Sequence, residues 1–81
     1  MKVEVVRAMV VIDPNLSIME LLQMAADNHH KKIELAEDEK RELIAILKKR
    51  AMDELEYGQE IELDTVRLIR RVTGAVGVYF T

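Results

Sequence analysis

Apolar and charged positions divide the chain into two β-like ends and a helix-like centre. Six of the first 12 residues are branched at Cβ, and such side chains suit a pleated strand better than a helix. The last residues, AVGVYF, are also apolar. Most positions between these ends are charged or favour helices. The pattern therefore predicts two terminal strands that bracket a helical centre.

The N-terminal run, residues 1–12, is apolar on both faces when it is read as a strand. Such a strand needs cover on both sides. Periodicity alone does not separate a doubly buried strand from a buried helix. If residues 2–12 are helical, the alternative fold is an all-α bundle.

A capping box marks the start of the first predicted helix. Ser17 and Glu20 have the S-x-x-E spacing, in which the serine hydroxyl accepts from the glutamate amide. Leu16 and Leu21 occupy the positions of a hydrophobic staple around that cap. Pro14 interrupts the preceding apolar run. We therefore predict a helix from residue 18 to about residue 28.

A second, longer helix is predicted from residue 36 to residue 57. Its first turn contains three acidic residues, 37–39, where the helix dipole favours negative charge. Gly58 follows as a terminator that accepts a left-handed conformation. Apolar residues recur at helical spacing along one face. They are Leu43, Ile44, Leu47, Ala51 and Leu55.

A third helix is predicted over residues 65–73. Asp64 is a suitable N-cap, and Leu63 and Leu68 have the staple spacing. Gly74 would end this helix, and AVGVYF would then form the last strand. Within that strand, Gly77 indicates a bulge or the close approach of another backbone.

These elements predict an α+β fold in one small domain, residues 1–81, with the order β-α-α-α-β. Two terminal strands would pack on a three-helix centre. A chain of 81 residues encloses one core, and a domain of this size is marginally stable without further support. Cysteine is absent, so no disulfide provides that support. Self-association is therefore the leading candidate for the additional stabilisation.

Three arginines form the strongest candidate for a functional surface. On the predicted third helix, Arg67, Arg70 and Arg71 have the i, i+3, i+4 spacing and share one side. Such a stripe could bind phosphates or the carboxylates of a partner protein. Alternatively, the arginines pair with the chain's own carboxylates, such as Glu60, Glu62 or the acidic cluster from Asp53 to Glu56.

The sequence contains no catalytic or metal-binding motif. The single serine, Ser17, is used by a helix cap, and there is no cysteine or glycine-rich phosphate loop. His29 and His30 are adjacent, whereas helical ligand pairs lie three or four residues apart. We therefore expect no enzyme activity, no catalytic residue, no metal and no cofactor. The sequence assigns neither histidine a role.

The composition favours a protein-interaction or regulatory module. The net charge of -3 argues against a protein that coats nucleic acid or an anionic membrane. No export signal or membrane span is evident, so a cytoplasmic location is expected. We predict a homodimer that pairs terminal strands, with a protein partner and no membrane partner. Its expected interface residues are Val6, Val10, Val78 and Phe80.

Nucleic-acid binding through the three arginines is the alternative function. A strand followed by two helices resembles ribbon-helix-helix repressors, and the second and third predicted helices resemble a helix-turn-helix. These resemblances imply contacts with DNA. However, Lys2 and Arg7 are the only basic residues of the first strand, and the acidic residues 37–39 would repel phosphate. The link over residues 58–63 is also longer than the usual helix-turn-helix connection.

Overall fold

The computed structural model describes residues 12–81, which form two helices followed by a three-stranded antiparallel sheet. This α+β architecture confirms the predicted class and excludes the all-α bundle. The order β-α-α-α-β is wrong, because the described part of the chain contains two helices and its strands all follow them. The elements are α1 (Ile18–His29), α2 (Glu37–Glu54), β1 (Glu60–Leu63), β2 (Val66–Arg70) and β3 (Val76–Phe80).

The predicted N-terminal strand, with Val6 and Val10, lies outside the described residues. Ile12 is the first described residue, and its side chain is buried in the core.

Helix α1 begins at the predicted capping box. The Ser17 hydroxyl accepts from the Glu20 N–H at 3.2 Å and donates to the Glu20 carboxylate at 3.1 Å. The helix ends at His29, one residue beyond the prediction. Its buried residues follow the helical repeat and face the rest of the core. They are Leu21, Leu22, Ala25 and Ala26.

Helix α2 ends at Glu54, three residues before the predicted end. Leu55 is already extended, with ψ of 145°, and its side chain is buried. Gly58 does adopt a positive φ, 82°, but within the loop that leads to β1. At the other end, Ala36 provides no side-chain cap, although its N–H donates to the Glu39 carboxylate at 2.8 Å.

The predicted third helix is wrong, because its central residues form strand β2. Val66 and Leu68 are completely buried whereas Arg67 between them is exposed, which is the two-residue period of a strand. Asp64 does not cap a helix. With Thr65 it forms the two-residue connection between β1 and β2, and its φ of 54° is typical of the first position of a type II′ turn.

One face of the sheet packs against both helices. In the register, Leu68 of β2 lies between Ile61 of β1 and Val78 of β3. Side chains at these positions and two residues away along each strand point towards α1 and α2. The alternate positions form the outer face, which includes Glu60, Arg67 and Tyr79. Buried residues from both helices and from β2 belong to one core cluster.

Candidate functional site

The three arginines do not form a stripe, because β2 is a strand. Successive strand side chains point to opposite faces, so Arg67 lies on the outer face and Arg70 on the face towards the helices. Arg71 follows the strand, and its guanidinium contacts Tyr79 on the outer face. The sequence-based grouping assumed helical spacing, and the structure separates its members.

Arg70 caps the C-terminus of α2. Its Nη1 donates to the carbonyl oxygens of Met52, at 2.6 Å, and Leu55, at 2.7 Å. These carbonyls belong to the last helical turn and the residue after it, where acceptors have no partner within the helix. The guanidinium also lies 4.4 Å from the ring centroid of Tyr57. Arg70 therefore joins the sheet to α2.

Arg67 pairs with a carboxylate of the neighbouring strand. Its Nη2 lies 2.7 Å from Glu60 Oε2, and both side chains are about half exposed. The hydrogen bond to Glu60, followed by that residue's negative charge, raises the pKa of the Arg67 guanidinium above its ordinary value. Of the two alternatives given for Arg67 from the sequence, the structure thus shows the pairing with one of the chain's own carboxylates.

Tyr79 lies along the outer face of β3 and covers Gly77. A Cβ added at Gly77 would come within 2.6 Å of the Tyr79 ring. The Tyr79 hydroxyl is hydrogen-bonded to the Arg71 guanidinium. Gly77 was expected to permit a bulge or the approach of another backbone, but it lies in a regular strand beside an aromatic side chain.

The two histidines connect the C-terminus of α1 to one end of the sheet. His30 Nε2 lies 3.1 Å from Asp64 Oδ2 and 3.3 Å from Thr65 Oγ1, both in the β1–β2 turn. His29 Nε2 lies 3.2 Å from the carbonyl oxygen of Thr81. Among residues 12–81, no group of three or more potential ligands is arranged to hold a metal ion.

Strand β3 has one edge that pairs with nothing else in the described part of the chain. The Thr81 N–H donates to the Thr65 carbonyl, and the Arg71 N–H donates to the Ala75 carbonyl. Hydrogen-bonded and non-hydrogen-bonded pairs alternate along an antiparallel ladder. The N–H and C=O groups of three residues therefore point away from β2. These residues are Val76, Val78 and Phe80.

The two edges of the sheet differ in charge. Strand β1 carries Glu60 and Glu62, both exposed, whereas β3 has the sequence VGVYF, without a charge or a proline. Natural sheets protect exposed edges with charged residues, prolines or bulges. By that criterion β1 is protected, whereas the regular outer edge of β3, which no strand within residues 12–81 covers, has no such protection.

The predicted interface residues of β3 have different environments. The Val78 side chain is half-buried and packs against the core, and its backbone N–H and C=O point away from β2. Phe80 is 42 % exposed, and its ring lies 5.1 Å from that of His29. The assignment of both residues to a dimer interface remains a prediction.

A groove of about 750 Å³ lies beside this end of β3, between α1, the α1–α2 loop and the first half of α2. We call it the α1–α2 groove. Its apolar lining is Ala25, Ile33, Leu35, Leu43, Ile44 and Phe80. Its polar lining residues are Asn28, His29, Lys31, Glu34 and Lys40. Sequence reasoning missed this groove, because its walls come from separate parts of the chain.

Comparisons of the chain with protein-family models, with curated proteins and with solved structures found no match. Among the helices of residues 12–81, none is both long enough and apolar enough to cross a membrane.

Proposed function

We propose that this chain is a small, non-enzymatic protein-interaction module that works as a homodimer, with the β3 edges of two copies paired antiparallel. A regulatory role in the cytoplasm completes the proposal and rests on the sequence. The observation that carries the dimer is the uncharged, unpaired edge of β3 among the described residues. Its outward backbone groups would find partners in the second copy.

The alternation of inward and outward hydrogen-bonding groups along β3 allows the outer edges of two copies to pair with each other. A two-fold axis beside Val78 would place Val78 of each copy opposite the same residue of the other. Because the Val78 N–H and C=O both point outward, the two copies would exchange two hydrogen bonds at the axis. Val76 of one copy would then lie opposite Phe80 of the other, and the two sheets would form one sheet of six strands.

The partial burial of the β3 side chains also supports contact with a second copy at this strand. The β2 residues Val66 and Leu68 are fully buried, whereas Val76 and Val78 on β3 are only half-buried on the same face. Tyr79 and Phe80 are each at least 40 % exposed. A copy placed against β3 would remove this apolar area from water, which favours association.

A proline at position 78 tests the proposal. Val78→Pro removes the outward N–H that the dimer needs but leaves the inward ladder to β2 intact. Val78→Ala is the matched control, because it removes more of the side chain and keeps the N–H. By sedimentation equilibrium, we expect the original chain and Val78→Ala to be dimers and Val78→Pro to be a folded monomer, with circular dichroism as the check on folding.

Two results would overturn this assignment. One is an original chain that is monomeric at every accessible concentration. The other is a Val78→Pro protein that dimerises as tightly as Val78→Ala, because the edge hydrogen bonds would then be irrelevant.

Nucleic-acid binding has less support from the positions of the arginines. Arg70 is used by the α2 C-terminus and Arg67 by Glu60, and Glu62 adds another negative charge to the outer face. A phosphate-binding surface needs guanidinium groups that converge on one face. A duplex-binding assay at low salt tests this alternative. Salt-dependent binding that Arg71→Ala abolishes would favour it over the dimer module.

A further inference from the structure

We propose that the α1–α2 groove binds an amphiphile with an aliphatic tail and one carboxylate head. The groove volume of about 750 Å³ is within the usual range for small-molecule sites. Such sites combine an apolar lining with a few polar groups that orient the ligand. The lining of the α1–α2 groove contains both kinds of residue.

The floor of the groove suits an aliphatic tail. Ala25, Leu35 and Leu43 are almost completely buried beneath it, and Ile33 and Ile44 line its sides. These side chains are aliphatic and offer no hydrogen bonds, so they select for hydrocarbon. Burial of one methylene group strengthens binding about fourfold.

The rim of the groove carries the positive charges that a carboxylate head would contact. Lys31 is exposed at the start of the α1–α2 loop, and Lys40 lies in α2. Lys40 Nζ lies 3.4 Å from Glu37 Oε1 on the exposed helix surface. An exposed pair of this kind is weak, so an incoming carboxylate can compete for the ammonium group.

Acidic residues near the rim limit the charge of the head group. Glu34 lies on the groove wall, and the Glu37 carboxylate lies beside the Lys40 ammonium group. These carboxylates would repel a dianion, such as a phosphate monoester, more strongly than a single carboxylate. The lysines also present point charges and lack the planar fork with which arginine binds phosphate. A monoanion is therefore the better match.

The backbone at Lys31 provides independent support for a role of this side chain. The Lys32 N–H donates to the Asp27 carbonyl at 2.8 Å, and the Lys31 N–H donates to the Asn28 carbonyl at 3.1 Å. This is the Schellman ending of a helix, in which the residue at the position of Lys31 has a positive φ and is usually glycine.

Lys31 has a φ of 61°, so it occupies a left-handed conformation that glycine adopts more easily. The chain does use Gly58 and Gly74 at two other positions of positive φ. Lysine at this position makes the fold less stable than glycine would, but it places a cation beside the groove. Departures from the locally preferred residue are expected at functional sites.

Titration with octanoate, followed by the backbone amide resonances, tests the proposal. We expect saturable shifts at residues that line the groove, and binding about 16-fold weaker for hexanoate because it lacks two methylene groups. Heptanol, which has the same seven-carbon tail without the charge, and heptyl phosphate should both bind at least fivefold more weakly than octanoate.

Two lysine variants separate binding from folding. Lys31→Gly should weaken octanoate binding at least fivefold while the thermal unfolding temperature stays equal or rises. Lys32→Gly is the matched control, because Lys32 is the adjacent exposed lysine and does not line the groove; its octanoate affinity should not change. The proposal is overturned if octanoate does not bind, if its shifts scatter over the surface, or if Lys31→Gly binds it with undiminished affinity.

Discussion

At the scale of single residues, the three arginines contact three different parts of the fold. Arg70 caps α2, Arg67 pairs with Glu60, and Arg71 contacts Tyr79. The sequence placed them together only because a helix was assumed. Their real neighbours depend on which strand face each residue occupies.

Arg70→Ala should lower the free energy of unfolding by about 2 kcal/mol, because two charge-assisted hydrogen bonds to the end of α2 are lost. Arg71→Ala is the control on the exposed face, and we expect a change of about 0.5 kcal/mol or less. Denaturation by urea measures both. Equal effects of the two substitutions would contradict the capping role of Arg70.

Gly77→Ala should displace the Tyr79 ring from the outer face and destabilise the fold by about 1 kcal/mol. In a Tyr79→Ala background the new methyl group meets no ring, so the same substitution should be nearly neutral. The coupling between the two positions is measured by a double-mutant cycle. If the two effects are additive, Tyr79 is not the reason for glycine at this position.

At the scale of secondary structure, the sequence was most informative where a local signal had a single structural meaning. The Ser17–Glu20 capping box located α1, and the uncharged AVGVYF segment located β3. Residues 65–73 were misassigned because Asp64 and the Leu63–Leu68 pair fit a helix start equally well. These residues form a strand because β2 pairs with β1 and β3. Such long-range pairing cannot be recognised from a single sequence.

Helix α2 can be stabilised at its N-terminus. Ala36 already has the extended backbone of an N-cap, with ψ of 164°, but lacks a side-chain acceptor. Ala36→Ser should therefore stabilise the fold by about 1 kcal/mol and raise the unfolding temperature by roughly 5 °C.

The control for this change is Ala45→Ser at an exposed position inside α2, where serine should cost a few tenths of a kcal/mol. Calorimetry compares the two proteins. If Ala36→Ser lowers the unfolding temperature as Ala45→Ser does, residue 36 does not act as the N-cap.

At the scale of the whole molecule, a small aliphatic core and the β3 edge that is unpaired within residues 12–81 both limit the stability of the fold. The buried core of the described residues contains only aliphatic side chains, three of them alanines. A domain of this length gains limited stability from such a core. Association through β3 would cover its half-buried valines and complete its backbone hydrogen bonds. The charged β1 edge would prevent further growth of the sheet.

Amide hydrogen exchange along β3, measured at several protein concentrations, tests the dimer most directly. The Gly77 and Tyr79 amides point towards β2, so they should be protected at every concentration. The Val76, Val78 and Phe80 amides point outward, and their protection should rise as the protein is concentrated. Rapid exchange at Val78 under all conditions, or protection there that is independent of concentration, would contradict pairing between two copies.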